Sequence, residues 1–145
     1  MTLAAILKQK GGFIISVPPT MRVSEIVGVL AEKRIGAVLI LGEAEQLLGI
    51  LSERDIVRSL AFNGAQTLEM TAAQLMTRAP TTATTELTVY DAEHLMTNGR
   101  FRHLPIIADG KPIGMVSIGD VVKAVLDQQT HEMENLRNYV SGTIG

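Results

Sequence analysis

The sequence predicts an α/β fold made of two copies of one small unit, each consisting of a strand, a helix, two strands and a second helix. A duplicated motif is the first observation behind this prediction. Gly49 to Arg58 and Gly114 to Lys123 both read Gly, two apolar residues, Ser, two variable residues, Asp, two aliphatic residues and a base. The composition is the second observation. Because 46% of the residues are hydrophobic but only 3% are aromatic, the core is expected to consist of aliphatic side chains and Met.

The same elements precede the motif in both halves. Apolar residues recur at helical spacing, which predicts one buried helix face in each half: Val23, Ile26, Val27, Leu30 and Ala31, then Val89, Ala92, Leu95 and Met96. Apolar runs that predict strands follow at Ala37 to Leu41 and at Leu104 to Ala108. Asp109-Gly110 suits a tight hairpin, and Gly99 is expected to cap the preceding helix just beyond its end.

One unit alone leaves a sheet face uncovered, because its helices lie mainly on the other face. We therefore expect the two copies to pack sheet against sheet around a pseudo-twofold axis, with a cleft at the seam, where small ligands often bind. The predicted organisation is one module over residues 1–130, with copies at 8–64 and 72–127. A C-terminal extension would occupy residues 128–145.

The last helix is predicted to run from Val121 to about Val140, a stretch without Pro or Gly, and therefore to continue into this extension. Met133, Leu136 and Val140 form a narrow apolar seam at heptad-like spacing. The pattern fits a terminal helix packed on its own domain, and it equally fits a helix that pairs with another chain.

The Ser-x-x-Asp elements, Ser52 to Asp55 and Ser117 to Asp120, allow two interpretations. Each can be a capping box, in which Ser and Asp close the first turn of a helix. Each also lies at a predicted strand-to-helix turn, where free N–H groups favour an anion. There the hydroxyl could donate to a phosphate and the carboxylate could accept from a ribose diol.

A basic cluster at Arg100, Arg102 and His103 precedes the strand of the second copy and suggests phosphate binding at the cleft. The corresponding residues of the first copy are Ile35-Gly36-Ala37, so the copies are not equivalent. Arg54, inside the first Ser-x-x-Asp element, could compensate.

Several function classes find no support in the sequence. The net charge is −2 with no basic stripe, so no nucleic-acid partner is expected. There is no Cys, and the three His show no metal-ligand spacing, so neither a metal site nor thiol catalysis is expected. No catalytic motif is present, and the chain is not expected to be an enzyme. No apolar run approaches a membrane span, which predicts a soluble, cytoplasmic protein without a membrane partner.

The chain resembles the cystathionine β-synthase (CBS) domain pair, or Bateman module, from about Lys8 to Leu126. The resemblance rests on the two Gly-to-Asp motifs, on Phe101 to Ile107 and on the lead-in Ala73 to Thr77. It implies paired βαββα units that bind AMP, ADP, ATP, NAD or S-adenosylmethionine and regulate a partner.

Residue roles follow from the same resemblance. Asp55 and Asp120 would hold ribose hydroxyls, and Ser52 and Ser117 would contact phosphate or ribose. The remaining predicted contacts are main chain at the adenine pocket, from Ile50 and Met115, and phosphate contacts from Arg54, Arg102 and His103.

Two functions remain open at this point. The first is a regulatory sensor of an adenine nucleotide, without a catalytic cofactor, that forms a homodimer and acts on a partner protein the sequence does not identify. The second is a ligand-free dimeric interaction protein, in which the Ser-x-x-Asp elements are only helix caps.

Overall fold

The computed structural model describes residues 1–11 and 14–142, which form two α/β halves. The predicted α/β fold is confirmed. In the order of the chain, the elements up to the middle are α1 (Leu3–Lys10), β1 (Ser16–Val17), α2 (Val23–Lys33), β2 (Ala37–Leu41), β3 (Leu47–Ser52) and α3 (Glu53–Asn63). A 3₁₀ helix (Gly64–Glu69) follows, and the chain continues with α4 (Ala72–Leu75), β4 (Thr77–Arg78), α5 (Val89–Gly99), β5 (His103–Ala108), β6 (Lys111–Ser117) and α6 (Ile118–Gly142).

The duplication seen in the sequence extends to the backbone hydrogen bonds. In the first half β2 and β3 are antiparallel, with Ala37 opposite Ser52, and in the second half β5 and β6 pair with His103 opposite Ser117. The amide of Glu53 donates to the carbonyl of Gly36 at 2.9 Å, and the amide of Ile118 donates to that of Arg102 at 2.8 Å. The strand-to-helix turns are therefore built in the same way in both halves.

The sheets differ in size. The first half has a four-stranded sheet in the order β1-β2-β3-β4, with β1 parallel to β2. In the second half β5 and β6 pair with each other, and an isolated parallel bridge joins Ala83 to Ile106 where a further strand was expected.

Helices α1 and α4, which lead into the first and second halves, each pack against the opposite half. Helix α1 packs against the second half, where the amide of Leu3 donates to the carbonyl of Leu87 at 2.9 Å. Helix α4 packs against the first half, where the amide of Ala72 donates to the carbonyl of Met21 at 2.8 Å. The chain therefore crosses between the halves at both of these segments.

Each half has its own aliphatic core, because the helices bury one face against the sheet. A third, smaller cluster lies on the other face of the first sheet, where Ala37, Leu39 and Ile50 are buried and Met115 of β6 packs against them. This contact joins the two sheets and confirms the predicted sheet-to-sheet seam.

The prediction that Gly99 lies just beyond the end of α5 and caps it was wrong. Helix α5 includes Gly99, and Arg100 is the residue with positive φ, at 56°. A Cβ at Gly99 would collide with the ring of Phe101, so the missing side chain makes room for that ring. The predicted Asp109-Gly110 turn has positive φ at both residues, 51° and 77°, as a tight hairpin requires.

Helix α6 has a buried first part and an exposed second part. Its first part is anchored by the buried residues Val121, Ala124 and Val125, whereas every described residue from Gln129 onward is exposed. The predicted continuous C-terminal helix is confirmed to Gly142, and the last three residues of the predicted extension lie outside the described residues.

Candidate functional site

The first Ser-x-x-Asp turn is a complete capping box. The amide of Asp55 donates to Oγ of Ser52 at 3.2 Å, and the amide of Ser52 donates to Oδ2 of Asp55 at 2.9 Å. The Ser52 hydroxyl also lies 3.0 Å from the same Oδ2. The cap holds both side chains in place at the start of α3, and both remain half-buried.

This turn opens into a cavity of about 330 Å³ between the two halves. Its walls come from the first turn, from the segment that follows β4 and from the entrance of β5. The lining residues are Ile50, Ser52, Arg54, Asp55, Arg58, Thr77, Ala79, Pro80, Thr81, Gly99, Arg100, Phe101, Arg102 and His103.

The cavity is strongly positive. Among the described residues that line it are four arginines, Arg54, Arg58, Arg100 and Arg102, and one carboxylate, that of Asp55. Guanidinium groups present several N–H donors in a planar array that matches phosphate oxygens. A carboxylate within such a wall fits a ligand with hydroxyl groups at one end and phosphate at the other.

His103 lies at the boundary between the halves. Burial lowers the pKa of its imidazole, and the positive charge of Lys10 lowers the pKa further, while Glu53 and Asp120 oppose this shift. A Cβ at Gly36 would lie 3.1 Å from Nε2 of His103. A side chain at Gly36 would therefore crowd the imidazole, so the glycine of the first copy and the histidine of the second pack closely against each other.

The second Ser-x-x-Asp turn has the same internal bonds but a different neighbour. The amide of Asp120 donates to Oγ of Ser117 at 3.2 Å, and the amide of Ser117 donates to Oδ2 of Asp120 at 2.9 Å. Here Nζ of Lys10, from α1, donates to that Oδ2 at 2.7 Å and to the carbonyl oxygen of Met115 at 3.0 Å.

The electrostatics of Asp120 reflect this contact. Burial alone would raise the pKa of its carboxyl, but the hydrogen bonds from Lys10 and from the Ser117 amide, together with the charge on Lys10, lower it overall. Asp120 and Lys10 line a separate cavity of about 240 Å³ between α1 and α6.

The predicted site residues thus divide between two places. Ile50, Ser52, Arg54, Asp55, Arg102 and His103 line the first cavity. Met115, Ser117 and Asp120 belong to the second turn, and neither Met115 nor Ser117 is among the residues that line the first cavity.

Sequence reasoning missed part of the first cavity and all of the Lys10 contact. Arg58 lies one helical turn after Arg54 on α3, so its spacing in the sequence already placed it on the same face. The segment Thr77 to Thr81 gives only a weak signal, a short polar run without periodicity. Lys10 lies 105 and 110 positions from its two partners, and no local pattern indicates such a pairing.

Two further properties bear on function. Across residues 1–11 and 14–142 there is no group of three or more His, Cys, Asp or Glu side chains arranged to hold a metal ion. In the same ranges no helix combines the length and the apolar character needed to span a membrane.

Two α/β units in tandem, joined through their sheets with a ligand-sized cavity at the seam, define a class of duplicated α/β modules. The model of the CBS domain matches residues 13–62 and again 72–127. The chain therefore belongs to the CBS domain family, and it contains a pair of these domains.

Individual relatives agree with this assignment. The CBS domain-containing protein CBSX3, mitochondrial, of Arabidopsis thaliana is 34% identical, in an alignment that covers 97% of this chain and 72% of the relative. The crystal structure of the CBS-domain containing protein ATU1752 from Agrobacterium tumefaciens superposes with a TM-score of 0.83 at 35% identity, covering 86% of this chain and 98% of that one. The CBS domain protein PAE2072 from Pyrobaculum aerophilum, solved in complex with AMP, has a TM-score of 0.73 at 25% identity, covering 83% of this chain and 89% of that one.

Proposed function

We propose that this chain is a non-catalytic sensor module that binds a phosphorylated adenosine ligand in the first cavity. The observation that carries the proposal is the meeting of the Ser52–Asp55 turn of one half with Arg102 and His103 of the other around one cavity. Its volume of about 330 Å³ falls within the range of about 300–1,000 Å³ that small-molecule sites occupy. The AMP complex of the Pyrobaculum protein supports the ligand class.

The proposed roles within the cavity follow its layout. Asp55 accepts hydrogen bonds from the ribose hydroxyls, and the main chain at Ile50 borders the adenine. Ser52, Arg54, Arg102 and His103 contact phosphate. A ligand held in this way touches both halves, so it stabilises the arrangement in which they are joined and shifts any equilibrium that separates them.

The positive charge of the cavity indicates which of the ligands implied by the family resemblance should bind most tightly. AMP, ADP, ATP and NAD carry phosphate charge that the four arginines complement. S-adenosylmethionine carries a sulfonium cation and no phosphate, so the same arginines disfavour it. We therefore propose a nucleotide, and we expect AMP to bind more tightly than adenosine or S-adenosylmethionine.

Isothermal titration calorimetry with AMP, adenosine and S-adenosylmethionine tests this proposal. We expect AMP to bind the wild-type protein and Asp55→Asn to weaken that binding. Absence of heat with AMP, ATP and NAD alike, confirmed by an unchanged thermal unfolding midpoint, would contradict the proposed function. Incubation with AMP or ATP followed by chromatography should recover the nucleotide intact, as a non-catalytic module predicts.

The exposed part of α6 favours a second role, assembly with another copy of this chain. Leu126, Met133, Leu136 and Val140 are 57, 63, 64 and 59% exposed and follow heptad-like spacing. Paired helices bury apolar stripes of this spacing against each other, so a second copy that covers the stripe would remove these four side chains from water. The homodimer and the cytoplasmic location both remain predictions, and docking of the dimer on a partner is the alternative to ligand sensing.

Light scattering on the wild-type protein and on Leu136→Glu tests the assembly. We expect the wild type to be a dimer and the variant, which places a charge in the stripe, to shift toward the monomer. Asn138→Glu is the control, since it adds a charge at an exposed position of the same helix on the side away from the stripe. A monomeric wild type would contradict the role of α6 without affecting the ligand proposal.

A further inference from the structure

The N-terminal helix α1 and the short helix α4 occupy equivalent positions on opposite halves. Leu3 begins α1 and bonds to the carbonyl of Leu87, as Ala72 begins α4 and bonds to the carbonyl of Met21. A Cβ on Gly114 would lie 2.6 Å from Cδ2 of Leu7, and a Cβ on Gly49 would lie 2.6 Å from Sδ of Met76. A residue of α1, and the residue that directly follows α4, thus pack over the glycine that opens a duplicated motif.

The two segments then diverge. Helix α4 ends at Leu75 and the chain becomes β4, in which Thr77 pairs with Ile50. Helix α1 instead continues for eight residues to Lys10. The first cavity stays open beside β4, whereas at the second turn the extra helical length brings the Lys10 ammonium onto Asp120 and Met115.

The two acceptors that Lys10 engages are the same kinds of group that the first site offers a ligand. Asp120 corresponds to Asp55, and the main chain at Met115 corresponds to that at Ile50. An ammonium group has three N–H donors and no acceptor, so it can satisfy a carboxylate and a carbonyl together. Hydrogen bonds between charged groups are shorter and stronger than neutral ones, which agrees with the 2.7 Å separation between Nζ and Oδ2.

We propose that Lys10 is an internal occupant of the second site and makes the chain bind one nucleotide instead of two. This inference rests on the proposed function, because it takes the first cavity as the ligand site. A nucleotide can enter at Asp120 only in molecules whose Lys10 has left, so its apparent dissociation constant rises in inverse proportion to that fraction. Lys10 thereby restricts nucleotide binding to the first site, and displacement of α1 would open the second site.

The test compares AMP stoichiometry, measured by calorimetry, in the wild type and in Lys10→Met. Met keeps the unbranched side chain and the helix propensity but removes the charge and the donors. We expect one AMP per chain in the wild type and two in Lys10→Met. Lys8→Met is the matched control on the exposed side of the same helix, and it should keep a single site.

The second site is then isolated in a chain whose first site is disabled. Asp55→Asn should weaken AMP binding at the first site about tenfold to hundredfold, and Asp55→Asn with Lys10→Met should recover one site of the wild-type affinity class. The proposal is overturned if Lys10→Met gains no binding, or if the wild type already takes two AMP and Asp120→Asn removes one of them.

A ligand-free measurement separates this inference from the proposed function. Nuclear magnetic resonance of the Asp120 carboxyl carbon should give a pKa below the ordinary value in the wild type and in Lys8→Met, and a higher pKa in Lys10→Met. If no variant binds AMP, the proposed function fails and the exclusion of a ligand by Lys10 falls with it. If AMP binds but Lys10→Met leaves the Asp120 pKa unchanged, the Lys10 proposal alone is overturned.

Discussion

The two halves of this protein carry the same Ser-x-x-Asp turn with the same pair of capping hydrogen bonds, yet among the described residues the first turn lines the seam cavity and the second does not. The difference lies in what approaches from elsewhere in the chain. In the first half a strand passes beside the turn and leaves space, whereas in the second half a helix delivers Lys10 to Asp120. A helix cap and a ligand site are therefore not alternatives, because the cap organises the turn and distant segments decide whether a ligand can reach it.

The largest effect expected from this comparison separates the two aspartates. Asp55→Asn should weaken AMP binding about tenfold to hundredfold, the loss expected for hydrogen bonds to a charged group worth about 1.5–3 kcal/mol. Asp120→Asn should change the same affinity less than about twofold, a difference below about 0.5 kcal/mol. Calorimetric titration measures both, and equal losses at the two positions would remove the distinction between the halves.

The next effect concerns the phosphate end of the first cavity. Arg102→Gln should weaken AMP binding about tenfold and leave adenosine binding nearly unchanged, because only AMP carries the charge that the guanidinium meets. Arg22→Gln is a control, since Arg22 pairs with Glu69 and does not line the cavity. An equal loss for both ligands would show that Arg102 supports the fold and does not select phosphate.

A smaller, pH-dependent effect is expected from His103. Burial holds the pKa of its imidazole below the ordinary value in the free protein, so the neutral form predominates near neutral pH. A bound phosphate favours the protonated form and raises this pKa, so binding takes up a proton. AMP affinity should therefore rise as pH falls through the bound-state pKa and level off below the free-state pKa.

The His103→Gln variant identifies the source of this pH dependence. AMP has its own phosphate ionisation near pH 6, which acts in the opposite direction in both proteins. The ratio of the wild-type to the variant affinity should rise by about two- to threefold between pH 8 and pH 6, in line with partial titration of a single histidine. A ratio independent of pH would place His103 away from the phosphate.

The smallest effect tests the close packing of Gly36 against His103. A Cβ at Gly28 meets nothing within 4 Å, so Gly28→Ala in α2 should raise the free energy of unfolding by about 0.5–1 kcal/mol through helix propensity. Gly36→Ala should give no such gain, because its Cβ would press on the His103 ring at 3.1 Å. Denaturant unfolding compares the two, and an equal gain at both positions would contradict the role assigned to Gly36.

Much of the fold could be predicted from the sequence because its signals are local and repeated. The two Gly-to-Asp motifs, the helical spacing before them and the Asp109-Gly110 turn each specify a short element, and duplication doubles every signal. The capping geometry at Ser52 and Ser117 followed for the same reason. Three strands were expected in each half, but the short pairing at Ala83 has too few residues to leave a pattern.

The candidate site was predictable only in part because its walls come from distant segments. Arg54, Arg102 and His103 were identified from their charge and from the place of each motif. Lys10 was not, since the apolar start of the chain carried no sign that it forms a helix across the second half. The close packing of His103 against Gly36 likewise joins residues that are far apart in the sequence, and no local pattern indicates such a contact.

Amide chemical shifts recorded during a titration with AMP distinguish the two Ser-x-x-Asp turns residue by residue. The amides of Ile50, Ser52, Asp55 and Thr81 should shift with one saturating isotherm, while those of Ser117 and Asp120 should stay in place at the same concentrations. Equal and simultaneous shifts at both Ser-x-x-Asp turns, or shifts at the second turn alone, would contradict the proposed binding of AMP at the first turn.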